Sequence, residues 1–261
     1  MVLENMEIYN LFDISFDKKE LISFVGGGGK TTSLFKLSKE LKSKGKKILV
    51  TTTTAIYFPY KEEYDKIIID SSSKIIQKLI NIKNETVTII GSRVSKEDKL
   101  LGIKEEIIEE IFNKEIFDYI LVEADGSKRK PIKAPAEHEP VIPKNSYKTI
   151  GVIGLDALGT KINEENVHRP ELFCNITESR INDIIDEEKI TKIIINEKGL
   201  FKGTSKESKK YVLLNKMDDE KTKQNALKIA DLVIKSNFKV DGIIAASMKF
   251  YDGFRAEKII K

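Results

Sequence analysis

Cysteine and histidine are scarce in this 261-residue sequence, and their scarcity excludes several kinds of site. The single cysteine, Cys174, excludes an intramolecular disulfide framework and any metal site that needs several cysteines from one chain. The two histidines, His138 and His168, are too few for a histidine-rich metal site. We interpret Cys174 as a small apolar core residue and His138 as a surface residue.

The sequence also has no apolar run long enough to cross a membrane, and residues 1–15 lack the apolar core of a signal peptide. The charges nearly balance, because 45 Lys and Arg residues stand against 41 Asp and Glu residues. The lysines are scattered rather than gathered in an arginine-bearing stripe. We therefore expect a cytoplasmic protein whose partners include neither a membrane nor a nucleic acid.

The most informative stretch runs from Leu21 to Thr32 and reads LISFVGGGGKTT. Its apolar first half predicts a buried strand, and the apolar spacing after it predicts a helix. Glycines between them let backbone N–H groups face an anion, and the positive end of the helix adds to that attraction. We predict a phosphate loop in which Lys30 contacts phosphate and Thr31 binds a phosphate-bound Mg²⁺. The nucleotide-binding residues predicted here are Gly26, Gly27, Gly28, Gly29, Lys30, Thr31 and Thr32.

This loop departs from the standard phosphate-loop pattern G-x-x-x-x-G-K-[ST]. That pattern needs a glycine where the chain has Phe24, so we predict a shorter or differently wound loop. The alternative is a glycine-rich turn that binds nothing. We favour phosphate binding because four consecutive glycines cost chain entropy, whereas a plain turn needs only one or two.

A second candidate site follows the apolar run 117–122, where Glu123 and Asp125 stand at the end of a predicted strand. Carboxylates in that position are costly to bury unless they meet a cation, so we predict that Asp125 holds Mg²⁺ together with Thr31. Glu123 is placed to orient an attacking water. Lys30, Glu123 and Asp125 are therefore the predicted catalytic residues, and an acidic turn without such a role is the alternative.

Two further groups of polar residues follow predicted strands. Threonines 51–54 place hydroxyls at the ligand-binding edge of a parallel sheet, although threonine is also a common strand residue. Asn215, Lys216 and Asp218 form an N-K-x-D pattern. Its aspartate accepts from two guanine donors at once, whereas adenine presents an acceptor there. We therefore predict base binding at these three residues, with GTP preferred over ATP.

Short apolar runs alternate with helical patterns along the chain. This alternation predicts an α/β fold of three layers, a mostly parallel sheet with helices on both faces, of the P-loop NTPase-like type. We expect a single domain over residues 1–261, with a proline-rich loop at 127–143, an irregular insertion at about 156–209 and a closing helix at 254–260.

The proline-rich loop is a candidate lid or substrate platform, because its prolines order it and it follows the predicted strand that precedes the catalytic residues Glu123 and Asp125. It carries Lys128, Arg129 and Lys133. These cations either bind an anionic substrate or form a solvated charged face.

Several motifs of this chain occur together in one known protein family. They are FVGGGGKTT, VTTTTAIYFP, LVEADGSKRKPIKAPAEHEPVIP, VHRPELF, GLFKG and VLLNKMD. On these motifs the chain resembles the YqeC family, whose members are named as selenium cofactor biosynthesis or selenium-dependent hydroxylase accessory proteins. The family commonly reads G-A-G-G-K-T-T, so Gly27 departs from its pattern. The resemblance places the phosphate-loop and acidic motifs on Gly26, Gly28, Gly29, Lys30, Thr31, Glu123 and Asp125.

The resemblance implies a nucleotide-binding accessory role in the maturation of molybdenum hydroxylases that carry labile selenium. Our leading hypothesis is a nucleotide hydrolase that uses Mg²⁺ with ATP or GTP, and whose partners are a client hydroxylase and a molybdenum cofactor or selenium species. One alternative is a nucleotide-responsive module that binds the client without turnover. Another is a transferase that moves a nucleotidyl or phosphoryl group onto a pterin-type substrate.

Overall fold

The computed structural model describes residues 7–72, 74–248 and 255–260. The strands are β1 Glu20–Gly26, β2 Ile48–Thr52, β3 Ala55–Tyr57, β4 Lys66–Ile69, β5 Val87–Gly91, β6 Arg93–Val94, β7 Lys99–Leu101, β8 Tyr119–Glu123, β9 Ile132–Lys133, β10 Lys148–Gly154, β11 Val167–His168, β12 Lys209–Asn215, β13 Gly242–Ser247 and β14 Arg255–Ile260. The helices are α1 Ile8–Leu11, α2 Lys30–Ser43, α3 Ile75–Leu79, α4 Glu105–Asn113, α5 Pro170–Thr177, α6 Glu187–Ile195 and α7 Glu220–Lys235.

The fold is α/β, and a large, mostly parallel sheet forms its centre. Within the described residues this sheet has nine strands in the order β14-β13-β12-β10-β1-β8-β2-β5-β4. Neighbouring strands pair in parallel except β13 and β14, which are antiparallel. The strands β12, β10, β1, β8 and β2 therefore end side by side, which brings the loops that follow them to one edge.

Side chains of β1 alternate between the two faces of the sheet. Leu21 and Val25 belong to a core that includes the inward faces of α3, α4, α5, α6 and α7. Ile22 and Phe24 belong to a second core with α1 and α2. This period of two is that of a strand buried on both sides, and it places helices on both faces of the sheet.

The last described segment, 255–260, corrects one sequence prediction. We predicted a closing helix over 254–260, but Arg255–Ile260 is a strand that pairs with β13. Residue 254 lies outside the described residues. The strand forms because it pairs with the outer edge of β13 and supplies that edge with backbone hydrogen-bond partners. Local helix propensity does not reveal such a tertiary pairing.

Two small sheets were not predicted from the sequence. β3, β7 and β6 form a three-stranded antiparallel sheet, and β9 pairs with β11 in parallel. Their strands have only two or three residues, too few to show a periodic pattern. None of the helices described is long and apolar enough to cross a membrane.

Candidate functional site

The glycine-rich loop connects β1 to α2 through tight backbone contacts. Gly26, Gly28 and Gly29 have φ angles of +93°, +77° and +126°, which are costly for residues with a side chain. A Cβ atom at Gly28 would lie 2.1 Å from the backbone nitrogen of Gly154. One at Gly27 would lie 2.8 Å from the carbonyl oxygen of Lys130. The loop is therefore packed against two neighbouring segments and is not an open turn.

The N–H groups of the first three glycines are used inside the protein. Gly26 donates to Asp125 Oδ2 at 3.0 Å, Gly27 to the carbonyl of Val152 at 2.9 Å, and Gly28 to the carbonyl of Lys130 at 3.0 Å. Helix α2 begins directly after the loop, and no side chain caps its N-terminus. The N–H groups left to meet an anion are thus those at the start of α2, where the helix dipole is positive.

Lys30 lies between two buried carboxylates. Its Nζ is 3.1 Å from Asp125 Oδ1 and 3.6 Å from Glu123 Oε1, and it donates to the carbonyl of Gly26 at 2.6 Å. Lys30 is only 3% exposed. Burial lowers the pKa of Lys30, but Asp125 and Glu123 outweigh that effect and raise it. Burial raises the pKa of Glu123 against the opposing charge of Lys30.

The residues predicted to hold Mg²⁺ lie together at this point. Thr31 donates from Oγ1 to Glu123 Oε2 at 2.7 Å, so Glu123 contacts the threonine directly. Asp125 Oδ1 is buried and has no hydrogen-bond donor among the described residues, although Lys30 is within ion-pair distance. Mg²⁺ favours one or two carboxylates combined with phosphate oxygens and water. These oxygen atoms fit that requirement.

No group of three or more His, Cys, Asp or Glu side chains in the described part of the chain could hold a metal ion. A metal at this site would therefore take part of its coordination from a ligand such as a nucleotide. Thr32, the next residue on α2, is exposed at the same end of the helix.

A chain of buried ion pairs continues from Asp125 into the proline-rich loop. Lys133 Nζ is 3.0 Å from Asp125 Oδ2 and 2.6 Å from Glu139 Oε2. Arg169 donates to both oxygens of Glu139, at 2.7 and 2.9 Å. Burial raises the pKa of Glu139, but the bonds from Arg169 and Lys133 prevail and lower it to about 2. Charges of opposite sign alternate along the chain Glu123, Lys30, Asp125, Lys133, Glu139 and Arg169.

This chain of ion pairs changes the interpretation of Lys133. At 2% exposure it belongs neither to a solvated face nor to a substrate platform. Lys128 and Arg129 are exposed, as a solvated or ligand-binding role requires. Sequence reasoning also missed Glu139 and Arg169. The one feature of the sequence that could have indicated them is that Arg169 comes directly before the proline that starts α5.

His168, next to Arg169, makes the stability of the protein depend on pH. Burial, together with the cations Arg169 and Lys133, lowers the pKa of His168 from 6.5 to about 4. Between these values the unfolded chain binds a proton that the folded protein does not, so stability falls as the pH falls from 6.5 to 4. We expect His168→Gln to weaken this dependence, as measured by urea unfolding across that pH range.

His138 provides the matched control for this measurement, because it is the other histidine of the chain and is exposed. We expect His138→Gln to retain the pH dependence of the wild-type protein. Identical pH profiles for wild type and His168→Gln would contradict the assignment.

Asn215 joins the glycine-rich loop to the residue that follows β13. Its Nδ2 donates to the carbonyl of Gly28 at 2.7 Å, and its Oδ1 accepts from the N–H of Met248 at 3.0 Å. Lys216, with φ of +66°, pairs with Asp156, and Asp218 accepts from the hydroxyl of Ser247. The N-K-x-D residues therefore lie at the same sheet edge as the loop.

The last two threonines of β2, and Thr53 directly after it, make structural hydrogen bonds. Thr51 donates to the carbonyl of Ile90 at 3.0 Å, and Thr52 donates to that of Glu123 at 2.7 Å. Thr53 donates to the carbonyl of Val141 at 2.9 Å. These bonds favour the structural interpretation of the threonine run over a ligand-binding one.

Comparison with known proteins identifies the family. The family model described as YqeC protein matches residues 22–171. The chain belongs to the YqeC family. A protein of Escherichia coli (strain K12), described as "Uncharacterized protein YqeC", is 31% identical over 207 residues, which cover 79% of this chain and 80% of the relative. The resemblance inferred from the motifs is thereby confirmed. No solved structure matches the chain.

The extent of the YqeC match separates two parts of the site. Residues 22–171 include the glycine-rich loop, both acidic residues and the whole chain of ion pairs as far as Arg169. Asn215, Lys216 and Asp218 lie beyond it. The glycine-rich loop and the two acidic residues thus lie within the region that the YqeC family model describes, whereas the position of the N-K-x-D residues rests on the geometry of this chain.

Proposed function

We propose that this YqeC protein is a P-loop NTPase-like protein that binds ATP or GTP with Mg²⁺ and hydrolyses it. One observation carries the proposal. At the uncapped start of α2, directly after a glycine loop, Lys30 and Thr31 each contact a buried carboxylate. Backbone N–H groups, a lysine, a hydroxyl and acidic residues at a helix N-terminus together suit a phosphate chain and its metal ion.

Four side chains take part in the proposed site: Lys30, Thr31, Glu123 and Asp125. The N–H groups at the start of α2 and Lys30 Nζ hold the phosphates, and Lys30 leaves the carbonyl of Gly26 to do so. Thr31, Glu123 and Asp125 would hold Mg²⁺ or its waters, and the ion would neutralise charge on the phosphate oxygens. Glu123 also orients a water. The oxygen of this water attacks the terminal phosphorus, and the proton that the water loses stays with the released phosphate. The bond from that phosphorus to the bridging oxygen breaks, and the diphosphate leaves.

The family resemblance stated from the motifs is the support for an accessory role. We propose that hydrolysis drives the transfer or insertion of a cofactor or selenium species into a molybdenum hydroxylase that carries selenium. Two observations would replace this proposal by its alternatives. Nucleotide binding without client-stimulated turnover would indicate a binding module, and a covalently modified pterin product would indicate a transferase.

The proposal is tested by titrating the full chain with ATP and GTP, with and without Mg²⁺, while the release of inorganic phosphate is recorded. We expect saturable binding that Mg²⁺ strengthens, and turnover that requires Mg²⁺. The absence of binding to both nucleotides at millimolar concentration would refute the function.

Asp218 sets the expected base preference. Its carboxylate accepts from the Ser247 hydroxyl at the sheet edge that carries the loop, and we propose that it accepts there from two guanine donors. We expect Asp218→Ala to weaken GTP binding about 10- to 100-fold, the effect of losing hydrogen bonds to a charged group, and to leave ATP binding nearly unchanged. Competition between the two nucleotides measures the ratio.

Asp219→Ala is the control, because Asp219 caps α7 through Thr222 and lies next to Asp218 in the chain. We expect this variant to keep the base preference. A preference that is the same in wild type and Asp218→Ala would show that these residues do not bind the base.

A further inference from the structure

The turn 127–130 lies against the glycine-rich loop. Lys130 donates its N–H to the carbonyl of Ser127 at 2.9 Å, which closes the turn, and the carbonyl of Lys130 accepts from Gly28 at 3.0 Å. Lys133 Nζ also donates to the carbonyl of Gly126 at 2.7 Å. The turn is therefore held at both ends, by the loop on one side and by the buried ion pairs on the other.

The two central residues of this turn are strained and basic. Lys128 and Arg129 have φ angles of +48° and +61°, the left-handed region that glycine or asparagine adopts more readily. Neither side chain pairs with a carboxylate within residues 7–72, 74–248 and 255–260. Strain of this kind persists where the surrounding structure imposes it, and it is concentrated at functional sites.

Arg129 lies on an exposed aromatic ring. Its guanidinium carbon is 3.8 Å from the centroid of Tyr57, which is 47% exposed. Such an exposed contact contributes only about 0.5–1 kcal/mol, so the side chain can leave the ring at little cost. Tyr57 is the last residue of β3, in the small antiparallel sheet β3-β7-β6. Because Lys130, the next residue after Arg129, contacts Gly28, Arg129 lies beside the glycine-rich loop.

We propose that Arg129 is a catalytic residue of the YqeC site, whose guanidinium leaves Tyr57 and contacts the terminal phosphate of the bound nucleotide. This inference rests on the proposed nucleotide hydrolysis and adds to it the group that neutralises charge in the transition state. The guanidinium forms a planar set of donors that fits phosphate oxygens, and it remains charged throughout. The guanidinium accepts no proton and forms no covalent bond.

The test uses glycine substitution, because glycine removes the side chain and relieves the left-handed strain together. We expect Arg129→Gly to lower kcat about 100-fold, the effect of losing one preorganised donor to the transition state. Nucleotide Kd should stay within a few-fold of wild type, and the Tm should stay the same or rise. Lys128→Gly is the matched control, since it relieves the same strain and keeps the guanidinium, so it should retain kcat.

Tyr57→Leu distinguishes catalysis from anchoring. If Arg129 only ties the turn to the ring, Tyr57→Leu must reduce kcat as much as Arg129→Gly does, and that result would overturn the proposal. We expect Tyr57→Leu to stay within a few-fold of wild type. A fall in the Tm of Arg129→Gly that accounts for its lost activity would also overturn it.

A second measurement separates this inference from the function on which it rests. The nucleoside diphosphate with Mg²⁺ and aluminium fluoride mimics the transferring phosphate, and we expect Arg129→Gly to bind it about 100-fold more weakly than wild type does. If Lys30→Ala loses turnover while Arg129→Gly retains both turnover and this binding, Arg129 is not catalytic and the nucleotide site stands. If the wild-type protein neither hydrolyses nucleotide nor binds the mimic, both proposals fall.

Discussion

Replacing Lys30 with alanine is expected to lower nucleotide turnover about 1,000-fold, at the upper end of the effect of removing one preorganised donor to the transition state. Lys30 is the cation at the start of α2, and its Nζ lies within 3.6 Å of both candidate carboxylates. The loss has two parts. The phosphates lose their direct cation, and Glu123 and Asp125 face each other without a charge between them. Phosphate release under saturating nucleotide and Mg²⁺ measures the effect.

The second part of this loss requires a control for folding. In Lys30→Ala the buried carboxylate of Glu123 loses the cation it contacts, and Asp125 keeps only Lys133, so the variant is also less stable. Adding Glu123→Gln removes one of these charges, and we expect it to recover stability without recovering turnover. Lys39→Ala, an exposed lysine on the same helix, should be neutral in both measurements. Full turnover in a folded Lys30→Ala protein would show that the loop does not bind the transferred phosphate.

Lys133→Met is expected to cost about 3 kcal/mol of unfolding free energy, the lower end of the range for breaking a buried ion pair. Lys133 is almost fully buried between Asp125 and Glu139. The effect stays at the lower end because Asp125 keeps Lys30 as a partner and Glu139 keeps Arg169. Urea unfolding measures it as a shift in the midpoint at constant slope.

Lys114→Met is the matched control for Lys133→Met. Lys114 pairs with Glu110 on the surface of α4, with both side chains about half exposed. Exposed pairs of this type contribute about 0.3–0.5 kcal/mol, so this variant should differ little from wild type. Equal destabilisation by the two variants would mean that the buried charges of the site are not coupled as the distances indicate.

The parts of the site that were predictable from the sequence are those encoded locally. The glycines next to Lys30 and the apolar residues on either side define a strand, a loop and a helix within about twelve residues. Glu123 and Asp125 follow a short apolar run, and parallel strands end at one edge. That Glu123 bonds to Thr31, while Asp125 bonds to Gly26, was not predictable, because it depends on the register between β1 and β8.

The residues that continue the chain of ion pairs beyond Asp125 lie in segments without periodicity. Lys133 and Glu139 belong to a proline-rich loop, and Arg169 precedes α5. A charged residue in such a segment has the same local signature whether it is solvated or buried, so sequence reasoning gave Lys133 only surface or substrate-binding roles. The pairing arises from the fold, which brings residues separated by 30 positions into contact.

The two hydrogen bonds of Asn215 determine how late in protein synthesis the glycine-rich loop is held in place. The carbonyl of Gly28 receives its bond from a residue 187 positions later, and that residue is itself held by the N–H of Met248. Synthesis proceeds from the N-terminus, and domains generally fold as units. A ribosome-bound chain that has exposed the glycine loop therefore lacks the residues that hold it in place. We expect a nascent chain to bind nucleotide only after β13 has left the ribosome.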